Sequence, residues 1–155
     1  MKYVLLALLS LSPMFARAAS APANFSGNWE FDPSRSKNVG MMAQASINTT
    51  IIQSNLQIVV DDKSVFNGQT DNQHTVYDLR GKPVNNTSMM AGAATTLSHW
   101  DGRRLITEWQ SAGAIAGTVN KRIEIRYLSA DGKTMYVESA RASQDPMVIV
   151  FTKAR

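Results

Sequence analysis

Seven side chains lie on strand-like segments at positions that share a face with apolar residues, and they are best placed to bind a ligand. They are Trp29, Tyr77, Thr107, Trp109, Tyr127, Ser139 and Arg141. Inside an apolar lumen, a guanidinium and a tyrosine hydroxyl can hold a carboxylate through charge-assisted hydrogen bonds. Alternatively, Arg141 has a purely structural partner inside the lumen, because a buried arginine needs some partner. Both interpretations of Arg141 stay open.

Metal binding has little support in the residue types. The two histidines, His74 and His99, lie on different predicted strands, and the chain has no cysteine, so no zinc-site spacing occurs. Thioethers suit Cu(I), and four methionines fall in loops: Met41, Met42, Met89 and Met90. Methionines more often fill irregular gaps, so we expect no metal and no other cofactor.

Catalytic constellations are also missing from the sequence. No G-x-S-x-G elbow occurs, and no pair of acids is placed for glycoside hydrolysis. Asp61-Asp62 is expected to be a solvated pair beside a turn. We therefore expect a protein that is not an enzyme.

Short β-strands must position the candidate residues. Segments rich in Val, Ile, Thr, Tyr and Trp alternate with turn dipeptides such as Asn67-Gly68, Asp101-Gly102 and Asp131-Gly132. The predicted strands cover 25–32, 47–53, 56–66, 70–79, 83–88, 94–100, 104–111, 118–128, 134–142 and 147–153. The fold class is thus all-β: an antiparallel up-and-down meander of about 8–10 strands that closes into a barrel, since closure removes exposed edges. A two-sheet sandwich is the alternative.

The alternation along each strand predicts which side chains face inward. Trp29 and Phe31 plug one end of the barrel, and three later strands turn these sets inward: Leu105, Thr107 and Trp109; Met135, Val137, Ser139 and Arg141; Met147, Ile149 and Phe151. In 118–128 the apolar set is expected inside and the charged set outside, with Lys121 as an exception. The inner set is Val119, Ile123, Ile125 and Tyr127, and the outer set is Asn120, Arg122, Glu124 and Arg126.

The long connections of such a meander gather at one end of the barrel. They are 33–46, 67–69, 89–93, 112–117 and 143–146. Several carry apolar residues, including Met41, Met42, Met89, Met90 and Ile115. Exposed apolar loops at one rim indicate either a ligand mouth or a surface for a protein partner.

Residues 1–20 read as a cleaved signal peptide, and 21–155 as a single domain. Met1-Lys2 precedes an apolar stretch from Tyr3 to Phe15, which is too short for a membrane span, and Ala16-Arg17-Ala18 is a cleavage signal. Without a cysteine no lipid can be attached there, so we expect a periplasmic or secreted protein. Removal of the leader lowers the net charge from +4 to +2, and without a basic stripe we expect no nucleic-acid partner.

The opening of the domain resembles that of a known family. Phe25-Ser26-Gly27-Asn28-Trp29, followed by Asp32-Pro33 and Ser36, is similar to the first strand of small exported bacterial lipocalin-like (calycin-type) proteins. Trp100-Asp101-Gly102 and the segment 128–134 match further landmarks. The resemblance implies a closed barrel that holds a small apolar molecule, with an arginine over Trp29. Arg141 is the first candidate for that arginine and Arg155 a weaker one.

These features predict an exported lipocalin-like protein that binds a small apolar or amphipathic ligand in the barrel lumen. The alternative is an envelope protein–protein interaction module, an inhibitor or assembly factor, that uses the apolar rim loops.

Overall fold

The computed structural model describes residues 21–88, 92–140 and 145–154. They form one short 3₁₀ helix, Gly40–Gln44, and ten strands. Strands β1 to β10 are Gly27–Phe31, Ser46–Gln53, Gln57–Phe66, Gln69–Asp78, Val84–Ser88, Gly92–Asp101, Arg104–Ala112, Val119–Leu128, Thr134–Ala140 and Met147–Lys153. All ten predicted strands are present, with ends shifted by no more than two residues. The predicted signal peptide lies outside the described residues.

The strands form one antiparallel sheet that curls into a nearly closed barrel. Its order is β4-β3-β2-β1-β10-β9-β8-β7-β6-β5, which confirms the up-and-down meander. The two edge strands, β4 and β5, meet through a side chain rather than a ladder. The Val76 N–H donates to Oδ1 of Asn86 at 2.9 Å, and Nδ2 of Asn86 donates to the Val76 carbonyl at 2.8 Å. The side-chain amide of Asn86 thus makes the pair of hydrogen bonds that a neighbouring strand would make between β4 and β5.

The tight turns use backbone conformations that their residues favour. In the β3–β4 hairpin Asn67 has φ 50° and Gly68 has φ 76°. Two successive positive φ values are what a two-residue hairpin of the primed type requires, and Asn-Gly adopts them at low cost. The Asn67-Gly68 hairpin is therefore confirmed.

One end of the barrel interior is filled by apolar side chains, which we call the base: Phe25, Trp29, Ile51, Ile58, Leu105 and Met135. Trp29 is 1% exposed, and its Nε1 donates to the Phe25 carbonyl at 2.9 Å. The Phe25 ring stacks on Trp100, with centroids 5.9 Å apart. The prediction that Trp29 plugs the barrel is confirmed.

A lysine, Lys153, lies over Trp29. Nζ of Lys153 is 5.4 Å from the indole centroid, while both predicted candidates, Arg141 and Arg155, lie outside the described residues. Lys153 also explains Gly27. A Cβ at Gly27 would lie 3.1 Å from Cε of Lys153, and the φ of 137° is one that other residues rarely adopt.

The β1–β2 connection runs along β10 before it reaches the opposite end of the barrel. Lys37 and Val148 exchange two backbone hydrogen bonds of 2.8 and 2.9 Å. Nδ2 of Asn38 donates to the Pro146 carbonyl at 3.0 Å. These contacts fix the segment that carries the 3₁₀ helix. Within the described residues, no helix has the length and apolar character needed to cross a bilayer.

Candidate ligand-binding site

A cavity of about 160 Å³, which we call the chamber, lies between the base and the looped end. Its apolar lining consists of Met42, Ile47, Val137, Met147, Ile149 and Phe151. Its polar and aromatic lining consists of Thr49, Asp62, Gln73, Thr75, Tyr77, Trp109, Arg122, Glu124, Arg126 and Ser139. The chamber therefore presents an apolar wall on β9 and β10 and a charged wall on β8.

Strand β8 turns its charged face into the barrel, so the predicted orientation of this strand was wrong. Glu124 and Arg126 are buried and Arg122 lines the chamber, whereas Ile123 is 38% exposed. Alternation separates two faces of a strand but does not say which one is inside. The charged face can be inside here because its members pair with one another.

Glu124 is the centre of that pairing. Its Oε1 is 3.2 Å from Nη2 of Arg126, and its Oε2 is 4.0 Å from Nη2 of Arg122. The Tyr77 hydroxyl donates to Oε1 at 3.3 Å. Burial raises the pKa of Tyr77, so its hydroxyl remains protonated and can donate. One carboxylate thus balances one of two neighbouring cations.

Aromatic faces support the two guanidinium groups. The Cζ atom of Arg122 is 4.7 Å from the Trp109 ring centroid, and that of Arg126 is 5.6 Å from the Tyr77 centroid. Tyr77 and Trp109 meet edge to face with centroids 6.1 Å apart. Cation–π attraction strengthens when a cation loses water, so these rings partly compensate for burial of the arginines.

Three buried N–H donors on chamber-lining residues have no hydrogen-bond partner among the described residues: Nε1 of Trp109, Nε of Arg122 and Nε of Arg126. Buried donors normally have a partner, and an unpaired one costs about 1–3 kcal/mol or more. Two of the three belong to cations. The arrangement can therefore accept an oxygen-rich anion.

Asp62 faces the chamber as well, which corrects the expectation of a solvated Asp61-Asp62 pair beside a turn. Both residues lie within β3, and alternation sends them to opposite faces. Asp61 is exposed, with its carboxylate 2.6 Å from Nδ1 of His74, while Thr49 donates to Oδ1 of Asp62 at 2.5 Å. Burial raises the pKa of Asp62, and the Thr49 hydrogen bond and Arg126 offset this only in part.

Tyr127 lies on the outer face of the barrel, which corrects its predicted place in the lumen. Its ring stacks on Tyr136 with centroids 5.0 Å apart, and its hydroxyl donates to Glu138 at 2.5 Å. Burial and the Glu138 hydrogen bond raise its pKa to about 12. Because Arg126 points inward, Tyr127 must point outward.

The other predicted ligand-binding residues divide between the chamber and its surroundings. Tyr77, Trp109 and Ser139 line the chamber. Thr107 is buried outside that lining, with its hydroxyl 2.9 Å from that of Ser98, and Trp29 belongs to the base. Arg141 lies outside the described residues.

The rim residues differ in position too. Met42 lines the chamber, while Met41 and Ile115 are 74% and 73% exposed. Met89 and Met90 lie outside the described residues. A protein partner at this rim stays a prediction. In the described part of the chain, no three His, Cys, Asp or Glu side chains are grouped as a metal site would require.

Four charged residues of the chamber were missed from sequence: Asp62, Arg122, Glu124 and Arg126. For β8, Lys121 was a signal of the orientation that the structure shows. It shares a face with Ile123 and Ile125, and its Nζ reaches Glu108 at 3.3 Å in the exposed region. A lysine on an otherwise apolar face indicates that this face meets water. No comparable signal marks Asp62.

Comparison with solved structures agrees with the barrel fold. The chain is similar to a mutant of the fluorescent protein UnaG, with TM-score 0.65 and 11% identity, covering 84% of this chain and 96% of that one. The REP1-NXSQ fatty acid transporter gives TM-score 0.65 and 14% identity over 84% and 96% of the two chains. Apo lipid binding protein 8 of Caenorhabditis elegans gives 0.65 and 12% over 84% and 95%.

At such low identities the structural similarity shows the fold alone, a calycin-like antiparallel barrel. No protein-family model and no curated relative matches the sequence. Membership of the exported bacterial family therefore stays a prediction.

Proposed function

We propose that this protein binds a small amphipathic carboxylate in the chamber, with the anionic group against β8 and the apolar part against β9 and β10. The observation that carries this proposal is the set of unpartnered buried donors on Trp109, Arg122 and Arg126. A carboxylate offers acceptors to such donors and charge to the guanidinium groups. Ile149, Phe151 and Val137 offer apolar contact on the other side.

The size of the chamber favours a compact ligand. Its volume of about 160 Å³ is below the roughly 300–1,000 Å³ of pockets that enclose drug-sized molecules. We therefore expect affinity to rise with chain length in short alkyl carboxylates and to stop rising once the tail fills the chamber. Two solved structures of the same fold are those of a fatty acid transporter and a lipid binding protein, which supports an amphipathic ligand.

A role in binding, and not in catalysis, is part of this proposal. The carboxyl groups of the chamber already have hydrogen-bond partners, since Glu124 accepts from Arg126 and Tyr77, and Asp62 accepts from Thr49. We propose further that the leader directs export, so that binding takes place in the periplasm or outside the cell.

Titration calorimetry with straight-chain carboxylates and the matching alcohols tests the proposal. Octanoate should bind at least about tenfold more tightly than octan-1-ol, because hydrogen bonds to charged groups contribute about 1.5–3 kcal/mol. Arg122→Met should abolish that preference. Arg104→Met is the matched control, because Arg104 lies over Tyr127 on the outer face. Equal affinity for acid and alcohol, or the same loss in both variants, would contradict the proposal.

A further inference from the structure

Among the described residues, four charged residues line the chamber. The net charge of the chamber depends on whether one of them is protonated. Arg122 and Arg126 bring two positive charges, and Glu124 and Asp62 bring two carboxyl groups. With both carboxyl groups ionised the sum is zero. With one of them protonated the sum is +1, which matches a ligand that carries a single negative charge.

The contacts distinguish the two carboxyl groups. Glu124 lies within 4.0 Å of both guanidinium groups. Asp62 has no cation at that distance in the described part of the chain, and its hydrogen-bond partner is the neutral hydroxyl of Thr49. Partial burial beside a neutral hydroxyl favours the protonated form of a carboxyl group. Asp62 is therefore the carboxyl group that can take up a proton.

We propose that Asp62 couples anion binding to proton uptake: the chamber binds its ligand with Asp62 protonated, and affinity falls as Asp62 ionises. This inference rests on the proposed function. A bound anion adds a second negative charge to the chamber and opposes the ionised carboxylate, so protonation of Asp62 removes the repulsion. Its burial already raises its pKa in the same direction.

The other groups around Asp62 do not offer the same switch. On β2 its neighbour is Thr49, and on β4 it lies opposite Gln73, with Tyr77 further along that strand. Arg122, Glu124 and Arg126 act from β8. Asp61, Lys63 and His74 are exposed on the outer face of β3 and β4. Asp61→Asn therefore changes the same side-chain type on the same strand without touching the chamber.

Calorimetry with octanesulfonate tests the coupling, because this probe stays ionised between about pH 4 and pH 8 and cannot itself carry the proton. Titration in buffers of different ionisation enthalpy counts the protons taken up per ligand. The wild-type protein should take up close to one proton at pH values above the pKa of Asp62. Its affinity should fall there by up to about tenfold per pH unit, as one linked proton requires.

Three variants sharpen the result. Asp62→Asn should bind the probe without proton uptake and without the fall in affinity. Asp61→Asn should keep the proton uptake, with the fall in affinity moved slightly to lower pH, because the charge of Asp61 contributes to the raised pKa of Asp62. Thr49→Val removes the donor to ionised Asp62 and should move the fall in affinity to higher pH.

Binding of the probe by the wild type without proton uptake, or equal proton uptake in Asp62→Asn, would overturn the coupling and leave the proposed function intact. Absence of any binding by the wild type would overturn both.

Discussion

The base and the chamber occupy the same barrel and use opposite chemistry. In the base, Phe25, Trp29 and Met135 pack apolar side chains against one another. Directly beside it, Nη1 of Arg126 lies 3.8 Å from Sδ of Met135, and charged groups continue along β8. Burial of ion pairs contributes little to stability or lowers it, while apolar packing supplies most of the favourable free energy. The comparison indicates that the base holds the barrel together, and it supports the proposal that the chamber binds another molecule.

Adjacent strands show the same contrast. β9 turns Met135 and Val137 inward, and β8 turns Glu124 and Arg126 inward. Both strands alternate regularly. They differ in the side chains that face inward, which are mainly apolar on β9 and charged on β8. That difference gives the chamber one apolar wall and one charged wall.

The largest effect is expected in the base. Trp29→Ala should lower the free energy of unfolding by about 3–5 kcal/mol, because it removes a large buried side chain and leaves a cavity. Urea denaturation measures this. Ile52→Ala is the control, since Ile52 is 63% exposed and should change stability by less than about 0.5 kcal/mol. Similar losses in both variants would contradict the assignment of stability to the base.

A slightly smaller effect is expected in the chamber. Glu124→Gln leaves two buried guanidinium groups without a carboxylate and should lower the free energy of unfolding by about 3 kcal/mol. Replacement of the whole group by Glu124→Leu with Arg122→Met and Arg126→Met should recover stability and abolish octanoate binding. A triple variant that remains as unstable as Glu124→Gln would show that the buried charges stabilise the fold.

A still smaller effect is expected at the β4–β5 turn. Asp78 accepts hydrogen bonds from the Arg80 and Lys82 backbone amides at 2.8 and 3.3 Å. Mainly the Arg80 side chain lowers its pKa to about 2. A lowered folded-state pKa contributes stability above the unfolded pKa, which is lost as pH falls through about 2. Asp78→Asn should therefore lower the melting temperature at neutral pH, but not at a pH below both pKa values.

The smallest effect, of opposite sign, is expected for Asp62. Its raised folded-state pKa makes the folded protein bind the proton more readily than the unfolded chain. Ionised Asp62 therefore destabilises the fold at neutral pH, and this penalty disappears as pH falls through the folded-state pKa towards the unfolded one. Asp62→Asn should raise the melting temperature slightly at pH 7. A fall would indicate that the carboxylate is stabilised by the chamber.

The barrel was more predictable from sequence than the chamber was. Dipeptides such as Asn67-Gly68 and the period-two pattern placed every strand, because turns and alternation are local properties. The orientation of β8 is not a local property, because the alternation of Arg122 and Ile123 fits equally well with either face inside the barrel. Burial of Arg122, Glu124 and Arg126 depends on Tyr77 and Trp109 from other strands. Such contacts across a barrel cannot be inferred from the sequence of one strand. Trp109 and Ser139 were found because their neighbours are apolar.

A crystal structure of the protein with bound octanoate would test the central claim most directly. We expect the carboxylate within hydrogen-bond distance of Arg122, Arg126 or Nε1 of Trp109, and the alkyl chain along Ile149 and Phe151. A carboxylate at the rim beside Met42 with the tail towards β8, or a ligand bound only on the outer face, would contradict the account.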